Sequence, residues 1–159
     1  MKIRKMCSTD LSTLYEIYKY KEVVNNNRYL PDIKREEFDS MFNDSQHNFV
    51  AVDFTGELRG HLSIFTTDKP RLMHSVSFGI AVDKASRGMG VGRFLMENLL
   101  SYCDEKLDLV RLELEVHSNN AAALTLYKSF AFEIEGTKRK AVHVEEEFID
   151  IVIMSKVQA

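Results

Sequence analysis

The stretch FGIAVDKASRGMGVGR, residues 78–93, constrains this chain more than any other. Val76 to Val82 is an apolar run rich in β-branched residues, the signature of a strand. Asp83 to Ser86 is polar and turn-like, and glycines then fall at alternate positions, Gly88, Gly90 and Gly92. From Val91 the spacing becomes helical, with Val91, Phe94, Leu95, Leu99 and Tyr102 on the apolar face. A strand therefore feeds a glycine-rich loop that opens a helix. A helix start offers free backbone N–H groups at the positive end of its dipole. Glycines let the backbone approach an anion and take positive φ, and Arg87 and Arg93 add charge. The expected ligand carries phosphate.

Two common phosphate loops do not fit. A P-loop ends in Gly-Lys-Ser/Thr, but Gly92 is followed by Arg93 and Phe94. A G-x-G-x-x-G fingerprint needs glycine at 93 or 95, which are Arg93 and Leu95. What does fit is R-x-x-G-x-G at Arg87, Gly90 and Gly92, which resembles the acyl-CoA pyrophosphate loop of the GNAT superfamily of N-acetyltransferases. The competing reading is a tight strand-to-helix turn with no ligand.

A second segment strengthens the resemblance. Residues 116–132, VHSNNAAALTLYKSFAF, are similar to the superfamily's N-x-x-A-x-x-x-Y helix, usually followed by Gly-Phe. Asn120, Ala123 and Tyr127 are spaced three and four apart and share one helix face. That face offers an amide, a gap and a phenol in line. Read without the resemblance, Asn120 is a helix cap and Tyr127 a core aromatic. Ala131 stands where the family usually has glycine, and alanine disfavours positive φ, so the turn into the next strand is expected to differ in shape. The resemblance implies acetyl-CoA as acyl donor. It implies contacts from Ile80, Ala81 and Val82 at the strand's end and from Arg87, Gly88, Met89, Gly90, Val91, Gly92 and Arg93 around the loop. It adds Asn120, Ala123 and Tyr127 on the later helix, with Tyr127 near the sulfur as general acid.

The rest of the chain reads as β-α-α-β-β-β-α-β-α-β-β. Met1 to Met6 alternates as a strand, and Thr9 or Asp10 caps a helix carrying Leu11, Leu14, Tyr15, Ile17 and Tyr18. Asn25 to Asn27 is a break, and Pro31-Asp32 starts a second helix with Phe38, Met41 and Phe42 on its buried side. Strands follow at 48–54 and 58–65, joined by Thr55-Gly56-Glu57, then at 72–82. After the helix from Val91 to Lys106 come a strand at 109–117, a helix at 120–129 and strands at 132–140 and 148–154 around Glu145-Glu146-Glu147. Hairpins meeting a βαβ unit imply an α/β (α+β) fold, one mixed central sheet with helices on both faces, which agrees with the GNAT fold. The 159 residues are enough for one domain with a core, 1–159.

A net charge of −3, from 21 basic and 24 acidic residues, gives no electrostatic case for nucleic acid or an anionic membrane. No apolar run is long enough to span a bilayer. Cys7 and Cys103 read as free thiols in a reducing cytoplasm, both as small buried hydrophobes. The five histidines show no metal-ligand spacing, so no metal is expected. The expected partner is a small-molecule or peptide amine, with pairing to a second copy left open.

Acetyl transfer to an amine needs a path for the amine's proton and a proton for the thiolate. Many relatives place a glutamate base on the strand before the loop, and the corresponding residue here is Ser77, which cannot replace it. Glu113, Glu115 and His117 alternate on one face of the next strand, opposite Leu112, Leu114 and Val116, and His74 lies four residues before Phe78. Glu115, Glu113, His117 and His74 are the candidate bases, histidine because it titrates near neutrality and the two glutamates set against a solvated strand face shared with Arg111. His47, His61 and His143 read as structural. The leading function is direct acetyl transfer from acetyl-CoA to a primary amine in a ternary complex, since neither cysteine lies in the motifs. The alternatives are a non-catalytic acyl-CoA-binding module, which Ser77 favours, and a nucleotide-binding domain of other chemistry.

Overall fold

The computed structural model describes residues 1–20, 23, 33–43 and 46–158. Strands β1 (Lys2–Lys5), β2 (Gln46–Val52), β3 (Leu58–Phe65), β4 (Ser75–Val82), β5 (Arg111–His117), β6 (Glu133–Val144) and β7 (Glu147–Val157) form one sheet, ordered β1-β2-β3-β4-β5-β7-β6. Each neighbouring pair is antiparallel except β4 and β5, which are parallel. The described helices are α1 (Leu11–Tyr18), α2 (Arg35–Ser40), α3 (Val91–Lys106) and α4 (Ala121–Ser129). The element order is the one read from the sequence. Parallel neighbours need a crossover between them, and α3 supplies it for β4 and β5.

Alternation along the strands sorts the core onto two faces. On one face Leu62, Ile64, Val76, Phe78, Leu112, Leu114 and Val116 pack with Leu95, Met96 and Leu99 of α3 and Tyr127 of α4. On the other, Val50 and Val52 pack with Leu14 of α1 and Phe38 of α2. Helices thus cover both faces.

Several boundaries differ from the sequence reading for local reasons. β2 ends at Val52 because the Asp53 carboxylate accepts from the Thr55 amide (2.8 Å), the Thr55 hydroxyl (2.6 Å) and the Glu57 amide (3.1 Å), folding 53–57 into a turn. Phe54 is left 96% exposed. β4 begins at Ser75, not Leu72, because Leu72 N donates to Lys69 O (2.8 Å) and Ser75 N to Leu72 O (3.0 Å). β6 runs on to Val144 and β7 starts at Glu147, so the acidic connection narrows to Glu145 and Glu146, with Glu145 at φ 55°. The expected break at 25–27 and helix start at 31–32 lie outside the described residues.

On α3, Met96 and Cys103 join Val91, Leu95 and Leu99 in the core, while Phe94 and Tyr102 are only partly buried. Cys103 is the buried thiol expected, but Cys7 is exposed, its sulfur 3.0 Å from Thr9 Oγ1. Ala131 takes the glycine-like turn after all, at φ 63°. Its amide donates to Lys128 O (3.0 Å) and Phe132 N to Tyr127 O (3.1 Å), and Phe132 is buried in the core, so the helix end imposes the conformation.

Candidate active site

The sheet opens where the loop strand meets its parallel neighbour. β4 and β5 pair only at Ser75↔Arg111, Val76↔Leu112 and Ser77↔Glu113, although β4 continues to Val82 and β5 to His117. The other edge of β4 stays paired to β3 as far as Gly60↔Val82. From Phe78 to Val82, then, β4 has one edge without a strand partner among the described residues. Along that edge the backbone N–H and C=O groups of alternate residues, Phe78, Ile80 and Val82, are open to an extended amide-bearing ligand, while those of Ala81 between them point to β3.

At the end of this edge the chain makes a 3-10 turn, Lys84–Ser86, and reaches α3. Ser86 N donates to Asp83 O (2.9 Å) and Met89 N to Ser86 O (3.3 Å), which pin the loop. Gly88 (φ 74°) and Gly90 (φ 82°) occupy the left-handed region that side chains avoid. Gly90 is the N-cap of α3, and its carbonyl accepts from Phe94 N (3.0 Å). Among the described residues no side chain caps this end, so the N–H groups of Gly90, Val91, Gly92 and Arg93 have no intrahelical acceptor and are available to an anion. Gly92 serves differently, since a Cβ there would lie 3.2 Å from Leu126 Cδ2 on α4. Arg87 and the 70% exposed Met89 flank the loop, and the Arg93 guanidinium lies 5.1 Å from the Phe130 ring centre.

Gly60 on β3 is a positioning residue that the motif reading missed. A Cβ there would meet Val91 Cγ1 at 2.8 Å, Leu95 Cδ1 at 3.0 Å and Ala81 O at 3.2 Å. Its absence lets the first turn of α3 sit directly on the sheet. The available signal was a glycine inside a strand pattern, which marks close approach.

Tyr127 leans over the opening. Its ring is edge-on to Phe78 (5.9 Å), the first β4 residue beyond the last β5 pair, and lies 6.1 Å from Phe132. The residue is buried, and its hydroxyl has no hydrogen-bond partner among the described residues. Burial pushes the phenol's pKa up, keeping it protonated at neutral pH. Asn120 is the N-cap of α4, its Oδ1 accepting from Ala123 N (3.1 Å), so its carbonyl oxygen is committed to the helix and its amide NH2 is the group left for a ligand. Ala123 is half-buried on the same helix.

The opposite face of the sheet carries the candidate bases. Glu113 accepts from Arg111 Nε (2.8 Å), and Arg111 is also bidentate to Glu135 at 2.8 and 2.5 Å. Glu115 lies one alternation further along β5, beside the opening, and is ion-paired with Lys138 of β6. His117 is buried at the end of β5. His74 lies in the turn before β4, at the far end from the glycine loop, with its carbonyl accepting from Val110 and Arg111 N. Ser77 is paired with Glu113. Further across this face, Ser63 Oγ donates to Asn48 Oδ1 (2.6 Å), which also faces His61 Nε2 (3.2 Å). An amide oxygen only accepts, so Nε2 carries the proton and Nδ1 accepts from the Tyr18 hydroxyl (2.8 Å). Burial lowers the His61 pKa to about 4, so the ring is neutral and ties α1 to β3 beside Ala81.

Among the described residues no three His, Cys, Asp or Glu side chains are placed to hold a metal ion, and no helix is long and apolar enough to cross a membrane.

Known proteins resemble this chain in sequence and fold. The chain is 39% identical over 103 residues to the L-amino acid N-acetyltransferase AaaT of Escherichia coli K12, a match covering 65% of this chain and 64% of that protein, so it spans under two thirds of that relative's length. It is 33% identical over 104 residues to the ribosomal protein bS18-alanine N-acetyltransferase of the same organism, covering 65% of this chain and 70% of that one. The crystal structure of smu.2055 from Streptococcus mutans UA159 has the same fold, with a TM-score of 0.86 at 26% identity over 99% of both chains. The family model for the Acetyltransferase (GNAT) family matches residues 11–132, a span that takes in the sheet opening, the glycine loop and Tyr127. The chain belongs to the GNAT family of acetyltransferases.

Proposed function

We propose that this chain, acting as one domain, transfers an acetyl group from acetyl-CoA to a primary amine in a ternary complex. The observation that carries this reading is the β4–β5 opening, which has an uncapped helix start at one end and a buried phenol above it. Acetyl-CoA, when bound, supplies an acetyl thioester. The N–H groups of Gly90 to Arg93 suit its diphosphate, and the free edge of β4 suits its amide-bearing arm.

Glu115 takes the acceptor's proton, directly or through a water. It is favoured over Glu113 because Glu113 is held by Arg111, which Glu135 fixes in turn, whereas Glu115 borders the opening. Tyr127 holds a proton for the sulfur. Transfer through a cysteine is disfavoured: burial pushes the Cys103 thiol up to about 12, and Cys7 lies beyond β1, outside both motifs. Two free thiols also support a reducing, cytoplasmic setting. The two curated relatives are named for an L-amino acid and for an alanine of ribosomal protein bS18. A small-molecule or peptide amine is the corresponding acceptor class here.

The test is thiol release from acetyl-CoA across an amine panel, with Tyr127→Phe beside the wild type. Turnover is expected to fall roughly 10- to 1000-fold while coenzyme A affinity survives, because the ring's packing is kept. Intact turnover removes Tyr127 from the chemistry. Coenzyme A binding with no turnover of any amine by the wild type would instead favour a non-catalytic acyl-CoA-binding module, the reading that Ser77 supports.

A further inference from the structure

The acceptor face carries two sets of charges that differ in how firmly they are held. Arg111 is tied to Glu113 and, bidentately, to Glu135, whose pKa is lowered to about 2 chiefly by that guanidinium. This set is closed. Lys138 reaches Glu115 through a single oxygen, in contrast to the bidentate Arg111–Glu135 contact, with side chains 44% and 33% exposed. Such a half-solvated pair contributes little to stability and opens readily. In the sheet, Glu115 lies beside Ile153, which on its other side faces Gly136, and Lys138 lies beside Ile151. Lys138 therefore leans diagonally across β7 to reach Glu115, past a position with no side chain.

A general base must touch the amine it deprotonates. If Glu115 is that base, the Lys138 ammonium now stands where the acceptor's nitrogen has to go. The acceptor must displace it, and the charge left behind decides which acceptor does so at least cost. A simple monoamine would leave Lys138 without its carboxylate beside a second cation. A diamine would add one more positive charge. A zwitterion exchanges one ion pair for two and changes the net charge of the face by nothing.

We propose that Glu115 and Lys138 together recognise a free α-amino acid, the ammonium on Glu115 and the carboxylate on Lys138. The inference rests on the acetyl-transfer reading above and narrows its acceptor. A peptide N-terminus has the amine without the adjacent carboxylate and is disfavoured.

The experiment compares α-amino acids with their α-amides, using wild type, Lys138→Met and Lys138→Arg with acetyl-CoA. Variant-to-wild-type ratios cancel the lower amine pKa of the amides. Lys138→Met is expected to lower kcat/KM for amino acids about 10- to 100-fold, mainly through KM, the range for losing one charge-assisted contact. The loss for the amides should be at least about tenfold smaller, and Lys138→Arg should recover most of the amino-acid activity. Equal losses for acid and amide, or no loss for either, would overturn the proposal. A wild type that acetylates amides or polyamines but no amino acid overturns it while acetyl transfer stands, and one that acetylates no amine overturns both.

Discussion

Replacing Gly60 by alanine tests whether the anion site depends on how closely α3 approaches the sheet. The added methyl would lie 2.8 Å from Val91 Cγ1, 3.0 Å from Leu95 Cδ1 and 3.2 Å from Ala81 O. Carbon contacts are optimal at about 3.5–4.0 Å, so the first turn of α3 must retreat by roughly 1 Å. Relief is scarce. Ala81 O belongs to a strand paired on that side, Val91 is 3% exposed and Leu95 fully buried, and a helical valine has one strongly preferred rotamer. Overpacking of this kind costs about 1–3 kcal/mol. Val91 follows the N-cap directly, so the same shift moves the N–H groups of Gly90 to Arg93 off their ligand, and coenzyme A affinity should fall roughly 3- to 30-fold. Urea unfolding followed by circular dichroism gives the first number and calorimetric titration the second. Adding Val91→Ala removes the closest clashing atom and should recover part of the affinity. A Gly60→Ala protein within about 0.5 kcal/mol of wild type, with coenzyme A affinity unchanged, would refute the reasoning.

Coenzyme A should raise the melting temperature of the wild type, and Gly90→Glu should abolish that shift, because it combines a side chain at φ 82° with a carboxylate facing the diphosphate. Ala131→Gly should stabilise the protein by about 0.5–1 kcal/mol in urea unfolding, since Ala131 already sits at φ 63° and glycine occupies that region at little cost. Stability should fall as pH drops from about 6.5 to 4. His61 is held neutral with a pKa of about 4, so the unfolded chain takes up its proton first, which is worth up to ~3 kcal/mol. His61→Gln should flatten that slope in melting curves taken between pH 7 and 4.5, relative to wild type.

The sequence by itself determined what depends on local spacing. A β-branched run, alternate glycines and a helical apolar period identify the strand, loop and helix of residues 76–106, since positive φ and amphipathic period are properties of neighbouring residues. The spacing of Ala123 and Tyr127 put them on one face of α4 for the same reason, with Asn120 at its N-cap, and the alternation of Glu113, Glu115 and His117 put them on one strand face. Ends of elements were less legible, because turn hydrogen bonds from Asp53 and Leu72 cut strands short where the apolar pattern continued.

Only the tertiary structure decided which groups meet. The end of β4–β5 pairing at Ser77 and Glu113 belongs to two strands separated by a helix, so it creates the opening without any local signal. The closeness of Gly60 to Val91, the placing of Tyr127 against Phe78 and the commitment of Asn120 Oδ1 to Ala123 follow from packing. So does the contrast between Glu113, locked by Arg111, and Glu115, paired with a lysine from a strand two places away in the sheet. Ala131 shows the two levels in conflict: local preference opposes a positive φ, but the helix-end hydrogen bonds and the burial of Phe132 outweigh a cost of about 1 kcal/mol.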